Sequence, residues 1–188
     1  MDFASRYESH PWDNQYHVDY TSEEHQTWSF LYQRQIQILE GRAVTEYIEG
    51  LKRLSFSQTT IPQIADVNQA LKPYTHWQVR PVKCVISSKE FFTMLSQACF
   101  PVTSFIRRAE DIDYITEPDI FHELFGHIPL YTVPEYAHFV QAYAKLALSY
   151  PEKDWNLFLR LFWFTVEFGL IQTPEGTRIY GGGILSSY

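Results

Sequence analysis

The stretch Pro118-Asp119-Ile120-Phe121-His122-Glu123-Leu124-Phe125-Gly126-His127-Ile128-Pro129 decides how this chain is read. Its two histidines stand five residues apart on a predicted helix, whereas zinc proteases place theirs four apart. At roughly 100° per residue, a five-residue step leaves two side chains about 140° apart on a regular helix. They converge only if the helix breaks near the second. Gly126 permits a break, and Pro129 pushes Ile128 out of the helical region. His127 is therefore expected at a helix end, turned toward His122. The competing reading is a pair of unrelated histidines beside a helix stop.

A third candidate ligand lies downstream. The segment from Trp155 to Leu170 is apolar nearly all round, which predicts a buried helix, and Glu167 is its only acidic group. A buried carboxylate is costly unless it is paired or bound to a metal. Arg160 and Arg178 are the available partners for pairing. A metal would compensate the carboxylate and explain the histidines as well. Two histidines and one carboxylate form the facial triad of mononuclear non-heme iron(II). A catalytic zinc with two His and one Glu is the chemical rival.

Around these residues the chain reads as one predominantly helical α+β domain. Trp28, Leu31, Tyr32, Ile36 and Leu39 keep helical spacing after a cap at Ser22, predicting a helix over 23–39. Val44, Ile48, Leu51 and Leu54 continue in a second helix, and Ile64, Val67 and Leu71 mark a third that Pro73 ends. From Trp77 to Ile86 the apolar residues, Cys84 among them, alternate in two registers about Pro81, as in a bulged or edge strand. Ser87 and Glu90 fit a capping box ahead of a helix carrying Phe91, Met94, Leu95 and Ala98. Thr116 to Asp119 reads as another helix entry with proline in its first turn, and Pro134 and Pro151 open two more. Leu170 to Tyr180 reads as a hairpin turning through Thr173-Pro174-Glu175-Gly176. Residues 1–20 read as an extended arm.

Composition narrows the function classes. Of 188 residues 45% are hydrophobic and 17% aromatic, which excludes disorder and suits a ring-lined pocket. The net charge of −7, with no long basic run, opposes nucleic-acid binding. Two cysteines, Cys84 and Cys99, cannot build a disulfide framework. The longest uncharged stretch, Phe91 to Ile106, has 16 residues and does not span a bilayer. A cytoplasmic, membrane-free protein is expected.

Three motifs in order carry a family resemblance. The Pro118-to-Pro129 segment, Phe164-Thr165-Val166-Glu167-Phe168-Gly169-Leu170 and Gly181-Gly182-Gly183-Ile184-Leu185-Ser186-Ser187 resemble the pterin-dependent aromatic amino acid hydroxylases, nearest to the bacterial phenylalanine-hydroxylating members. The resemblance runs from about Asp19 to the last residue. It implies a helical catalytic domain with a small sheet that uses iron(II), a tetrahydropterin (tetrahydrobiopterin or a related bacterial pterin) and dioxygen to convert phenylalanine to tyrosine. His122, His127 and Glu167 then match the iron ligands. Arg107 matches the arginine that grips the substrate carboxylate, and Asp119 the acid that orients it. Pro118, Trp163 and Phe168 match the walls around the substrate ring, while Tyr114 and Ser186 match polar positions beside the amino acid. Ile86, Ser88 and Phe91 match the pterin site. Glu123 matches the acid near pterin and iron. Ile115 stands where animal members commonly carry threonine. Family catalytic domains continue beyond the Ser-Ser motif, so this chain is expected to lack their C-terminal part and any regulatory domain. The expected partner is a small aromatic amino acid, and the expected state a monomer.

Two other classes compete. One is a degenerate member that binds metal or amino acid without turnover. The other is a zinc hydrolase with Glu123 as general base, which the five-residue histidine step disfavours.

Overall fold

The computed structural model describes residues 7–83 and 85–188; residues 1–6 and Cys84 lie outside the described residues. Helix α1 (Ser22–Leu39) begins one residue earlier than its spacing suggested. Its cap is Thr21, not Ser22: the Thr21 side chain accepts from the Glu24 N–H while Glu24 reaches back to the Thr21 N–H. One face also differs from expectation. Ile36 is 40% exposed, and the inward position beside it belongs to Gln35, which is fully buried.

Helices α2 (Thr45–Leu54) and α3 (Ile64–Leu71) form where their apolar spacing predicts. Strand β1 (Gln78–Pro81) is shorter than the expected Trp77–Ile86 run, because the chain bends away after Pro81. Helix α4 (Ser88–Ser96) follows, with Ser87 accepting from the Glu90 N–H. Ala98 falls outside it, in a left-handed turn with φ of 56°. That turn delivers strand β2 (Cys99–Val102), which pairs parallel to β1 with Gln78 opposite Cys99. A parallel pair requires a crossover, and α4 supplies it. Cys99 is buried and free.

The Thr116–Asp119 entry is displaced. Helical winding starts at Ile120, so Pro118 precedes the cap, and Asp119 Oδ1 accepts from the His122 N–H at 3.0 Å. The winding then widens into a π turn over His122–His127 and tightens into a 3-10 turn over Ile128–Thr132. Helix α5 (Pro134–Ser149) follows, then a 3-10 turn after Pro151 and helix α6 (Trp155–Phe162). A second π turn, Trp163–Glu167, extends α6. The predicted hairpin is present as antiparallel β3 (Leu170–Thr173) and β4 (Gly176–Ile179), and a short helix α7 (Gly182–Leu185) ends the chain. Among the described residues the sheet content is thus two separate two-stranded pairs.

The core gathers α1, α2 and the Phe121–Tyr131 segment. Phe121 and Phe125 stack at 4.8 Å, with Trp28 and Tyr32 edge-on against them at 5.4 and 5.2 Å. Tyr47 donates its hydroxyl to the Phe125 carbonyl at 2.8 Å, satisfying a carbonyl of the widened turn. These contacts lock the first π turn. Ser104 donates to the His10 carbonyl at 2.8 Å, and Tyr7 stacks on Phe105, so the described part of the arm runs beside the 103–106 segment. No helix among the described residues is long and apolar enough to cross a membrane.

Candidate metal centre

The two histidines meet by a different route from the expected break. In a π turn the hydrogen bonds run i→i+5, so residues five apart stack as residues four apart do in an α-helix. The His122 and His127 Nε2 atoms are 3.2 Å apart. Gly126 serves close packing instead of a break: a Cβ there would lie 2.5 Å from the Gly182 carbonyl oxygen. The His127 ring in turn rests on Gly182, where a Cβ would fall 2.4 Å from the ring.

The second π turn brings in Glu167. Its Oε1 lies 3.2 Å from His127 Nε2 and its Oε2 3.5 Å from His122 Nε2. Among the described residues its ion-pair partners are these two histidines, charged only when protonated, and Arg160 and Arg178 form no ion pair with it. One ligand atom from each of the three residues lies within 4.8 Å of the others. Two bare imidazole nitrogens at 3.2 Å repel unless a proton or a cation stands between them. With ligand bonds of about 2.0–2.2 Å, the observed separations suit one small cation. The residues present therefore fit a metal.

Electrostatics favour the ligating forms. Burial opposes ionisation of Glu167, yet the facing His127 charge, its hydrogen bond and His122 outweigh that and hold the carboxyl at about 2. Burial, aided by the nearby His127, outweighs the pull of Glu167 on His122 and depresses its pKa to about 4. At neutral pH the carboxylate is ionised and His122 is neutral. Its tautomer follows from Ser186. The Ser186 hydroxyl donates to the Gly182 carbonyl at 2.9 Å, so toward His122 Nδ1, also at 2.9 Å, it accepts. Nδ1 carries the proton and Nε2 presents its lone pair to the trio.

Two cavities meet at the trio, with His122 and Glu167 bordering both. A cavity of about 480 Å³ is lined by Ile86, Ser88 and Phe91 on one side and by Glu123, His127 and Phe162 on the other. A second, of about 370 Å³, is lined by Arg107, Tyr114, Phe168 and Ser186. Pro118, His122, Trp163 and Glu167 border both. Arg107 is buried and bidentate on Asp119, Nε to Oδ2 at 2.8 Å and Nη2 to Oδ1 at 2.9 Å, which leaves Nη1 unspent. Trp163 and Phe168 lie with ring centroids 4.7 Å apart, and Tyr114 is 74% exposed at the rim. Glu123 is buried, and burial pushes its pKa well up even though Oε2 accepts from the Thr103 N–H and hydroxyl. A hydrolase base would have to be free, and Glu123 is held by Thr103.

The α6 segment corrects a further expectation. It is not buried all round: Leu157, Leu161 and Phe164 are 63%, 52% and 71% exposed. Only Trp155, Phe162 and Val166 are fully inside, because no described element packs on the opposite face. Two neighbours of the site escaped the sequence reading, Thr103 and Gln35, while Gly182 stood in the third motif without a role of its own. Only Gln35 left a signal, a polar residue on the apolar stripe of α1.

Residues 2–188 match the family model of the biopterin-dependent aromatic amino acid hydroxylases. The chain is 46% identical over 177 residues to a phenylalanine-4-hydroxylase of Pseudomonas aeruginosa, covering 94% of this chain and 67% of that protein. It is 42% identical over 183 residues to that of Vibrio cholerae, covering 97% and 63%. The solved phenylalanine hydroxylase of Legionella pneumophila superposes with a TM-score of 0.92 at 52% identity, over 95% of this chain and 71% of that one. A Chromobacterium violaceum phenylalanine hydroxylase holding iron(III) and oxidised 7,8-dihydrobiopterin superposes with a TM-score of 0.87 at 42% identity, over 95% and 67%. The chain thus spans 63–67% of the length of these two curated relatives. On the match of nearly its whole length, the chain belongs to the biopterin-dependent aromatic amino acid hydroxylases.

Proposed function

We propose that this chain is the catalytic unit of an iron(II)- and tetrahydropterin-dependent monooxygenase that hydroxylates phenylalanine to tyrosine. One observation carries the reading: of three clustered metal-competent donors, His122 and Glu167 stand in the wall shared by two cavities, one ring-lined and one with a buried arginine, and His127 borders the first. A reaction that must bring a pterin and an amino acid to one metal needs such an arrangement. His122, His127 and Glu167 hold the iron. When bound, iron(II) and the tetrahydropterin together supply the activation of dioxygen.

The chain's own residues bind, orient and exclude water. The pterin occupies the larger cavity against Phe91, with Ile86 and Ser88 beside it. Phe91 is braced edge-on by Phe162 at 5.2 Å, which fixes the stacking face. Arg107 Nη1 takes the substrate carboxylate, and Asp119 fixes the guanidinium so that little rotamer freedom is lost on binding. Trp163, Phe168 and Pro118 flank the substrate ring and Tyr114 closes the rim. The Ser186 hydroxyl serves His122 first and borders the amino acid second. Burial pushes the Glu123 pKa up, and with Thr103 donating to Oε2 the carboxyl is held in place at the border of the pterin cavity. The net negative charge opposes a nucleic-acid partner, and the site, built within one copy of the chain, is assigned to a cytoplasmic protein.

The test is tyrosine formation from phenylalanine by the folded, iron-loaded chain. It is expected to require iron, tetrahydropterin and dioxygen, and to disappear in Glu167→Gln. Metal-free Glu167→Gln is expected to melt lower than the metal-free parent at neutral pH, because the depressed pKa of Glu167 marks a carboxylate that the two histidines stabilise in the folded state. Tyrosine formed equally well without iron would overturn the reading, as would none formed by the fully loaded protein.

A further inference from the structure

We propose that Gln35, on α1, is a positioning residue that sets the tautomer and aim of His122 through the backbone around Ser186. This rests on the reading of His122 as a metal ligand. Gln35 is fully buried on the stripe that otherwise carries Trp28, Leu31 and Leu39. Its amide has two N–H donors. One goes to the Leu185 carbonyl at 2.9 Å and the other to the Ser187 carbonyl at 2.8 Å. These carbonyls flank Ser186 at and just past the C-terminal end of α7, where backbone carbonyls have no intrahelical donor.

One side chain therefore pins the backbone on both sides of Ser186. The Ser186 hydroxyl, held between the Gly182 carbonyl and His122 Nδ1, can then only accept from the ring. Fixing the proton on Nδ1 leaves Nε2 bare for the metal. Gln35 itself borders neither cavity of the centre. Its Oε1 is buried without a hydrogen-bond partner among the described residues, a cost that an apolar residue of the same length would avoid. Packing alone does not explain an amide here; the two carbonyls do. Partners that orient a ligating histidine typically change metal affinity 10–100-fold when lost.

The experiment uses the metal-free chain labelled with ¹⁵N-histidine, followed by titration with Co(II) alone. The parent is expected to show His122 as the Nδ1–H tautomer. Gln35→Met, which keeps length and removes both donors, is expected to mix the tautomers and weaken Co(II) binding about tenfold, as does Ser186→Ala. The double variant should bind no worse than Ser186→Ala, since both act through one hydroxyl. Unchanged affinity and tautomer in Gln35→Met would overturn the proposal, as would losses that multiply in the double variant. Should Gln35→Met fail to fold, Gln35→Asn retains the amide but falls one methylene short, and must shift the tautomer in the same direction. His122→Ala separates the two claims. If it leaves Co(II) binding intact, the ligand assignment fails, while the tautomer readout still tests Gln35.

Discussion

Asp119 is the residue on which the most separate demands converge. Its two oxygens accept from the Arg107 backbone N–H, Arg107 Nε, Arg107 Nη2 and the His122 N–H, at 2.8 to 3.0 Å. The same carboxylate thus caps the histidine helix and holds the arginine of the second cavity. Burial alone would raise its pKa, but the Arg107 hydrogen bonds and charge, with the two backbone donors, lower it below the usual 3.8. Asp119→Asn strands a buried guanidinium, which costs about 3–5 kcal/mol. The sign of the pH effect follows from the depressed pKa. The ion pair's contribution is complete above the usual carboxylate value and is lost as pH falls through the lowered one. Urea denaturation of both proteins should therefore show a constant gap from pH 7 to about 5 that narrows below about 4. A gap that stays constant into strong acid would mean that the charge at Asp119 does not matter.

At the scale of elements, the two π turns make the site. Each sits where a candidate ligand must reach a point that α-helical winding would miss. His122 and His127 are brought onto one face, and Glu167 ends the second turn with the Phe168 N–H bonded to the Trp163 carbonyl at 3.0 Å. Gly126 lets α7 approach the first of them. Alanine normally gains roughly 1 kcal/mol over glycine inside a helix. Here its Cβ would meet the backbone oxygen of Gly182 at 2.5 Å, and overpacking of this kind costs about 1–3 kcal/mol. The steric term wins, so Gly126→Ala should melt lower and bind Co(II) more weakly by displacing Ser186. A variant that melts higher than the parent would refute this. These elements were unequally legible in the sequence. Apolar spacing alone marks α1, α2 and α3, and turn chemistry marks the β3–β4 hairpin. Alternation marks β1, but its pairing with β2 left no local trace, because Gln78 and Cys99 meet only through a crossover. The five-residue histidine step signalled an irregular helix, and only the fold distinguished a widened turn from a broken one.

At the scale of the molecule, the site is an assembly of distant segments: α1 through Gln35, the Thr103–Arg107 segment after β2, both π turns and α7. That explains why a chain this helical spends so many buried polar groups in one region. It also explains what the chain leaves outside. Leu157, Leu161 and Phe164 recur at helical spacing with 52–71% exposure, and Leu170 and Ile171 on the hairpin are 56% and 49% exposed. Exposed apolar side chains repeated along one helix face, as at Leu157, Leu161 and Phe164, promote association. The chain as it stands should therefore bind an apolar dye such as anilinonaphthalene sulfonate in its folded state and associate with rising concentration. Replacing Leu157, Leu161 and Phe164 together with glutamine removes the patch and touches neither cavity wall of the metal centre. Exposed substitutions are usually worth no more than about ±0.5 kcal/mol each, so melting temperature and Co(II) affinity should change little. Dye fluorescence and the associated fraction in sedimentation velocity should both fall. Were the triple variant instead to unfold or lose Co(II) binding, the α6 face would be part of the core, and the exposure of these residues could not describe the chain in solution.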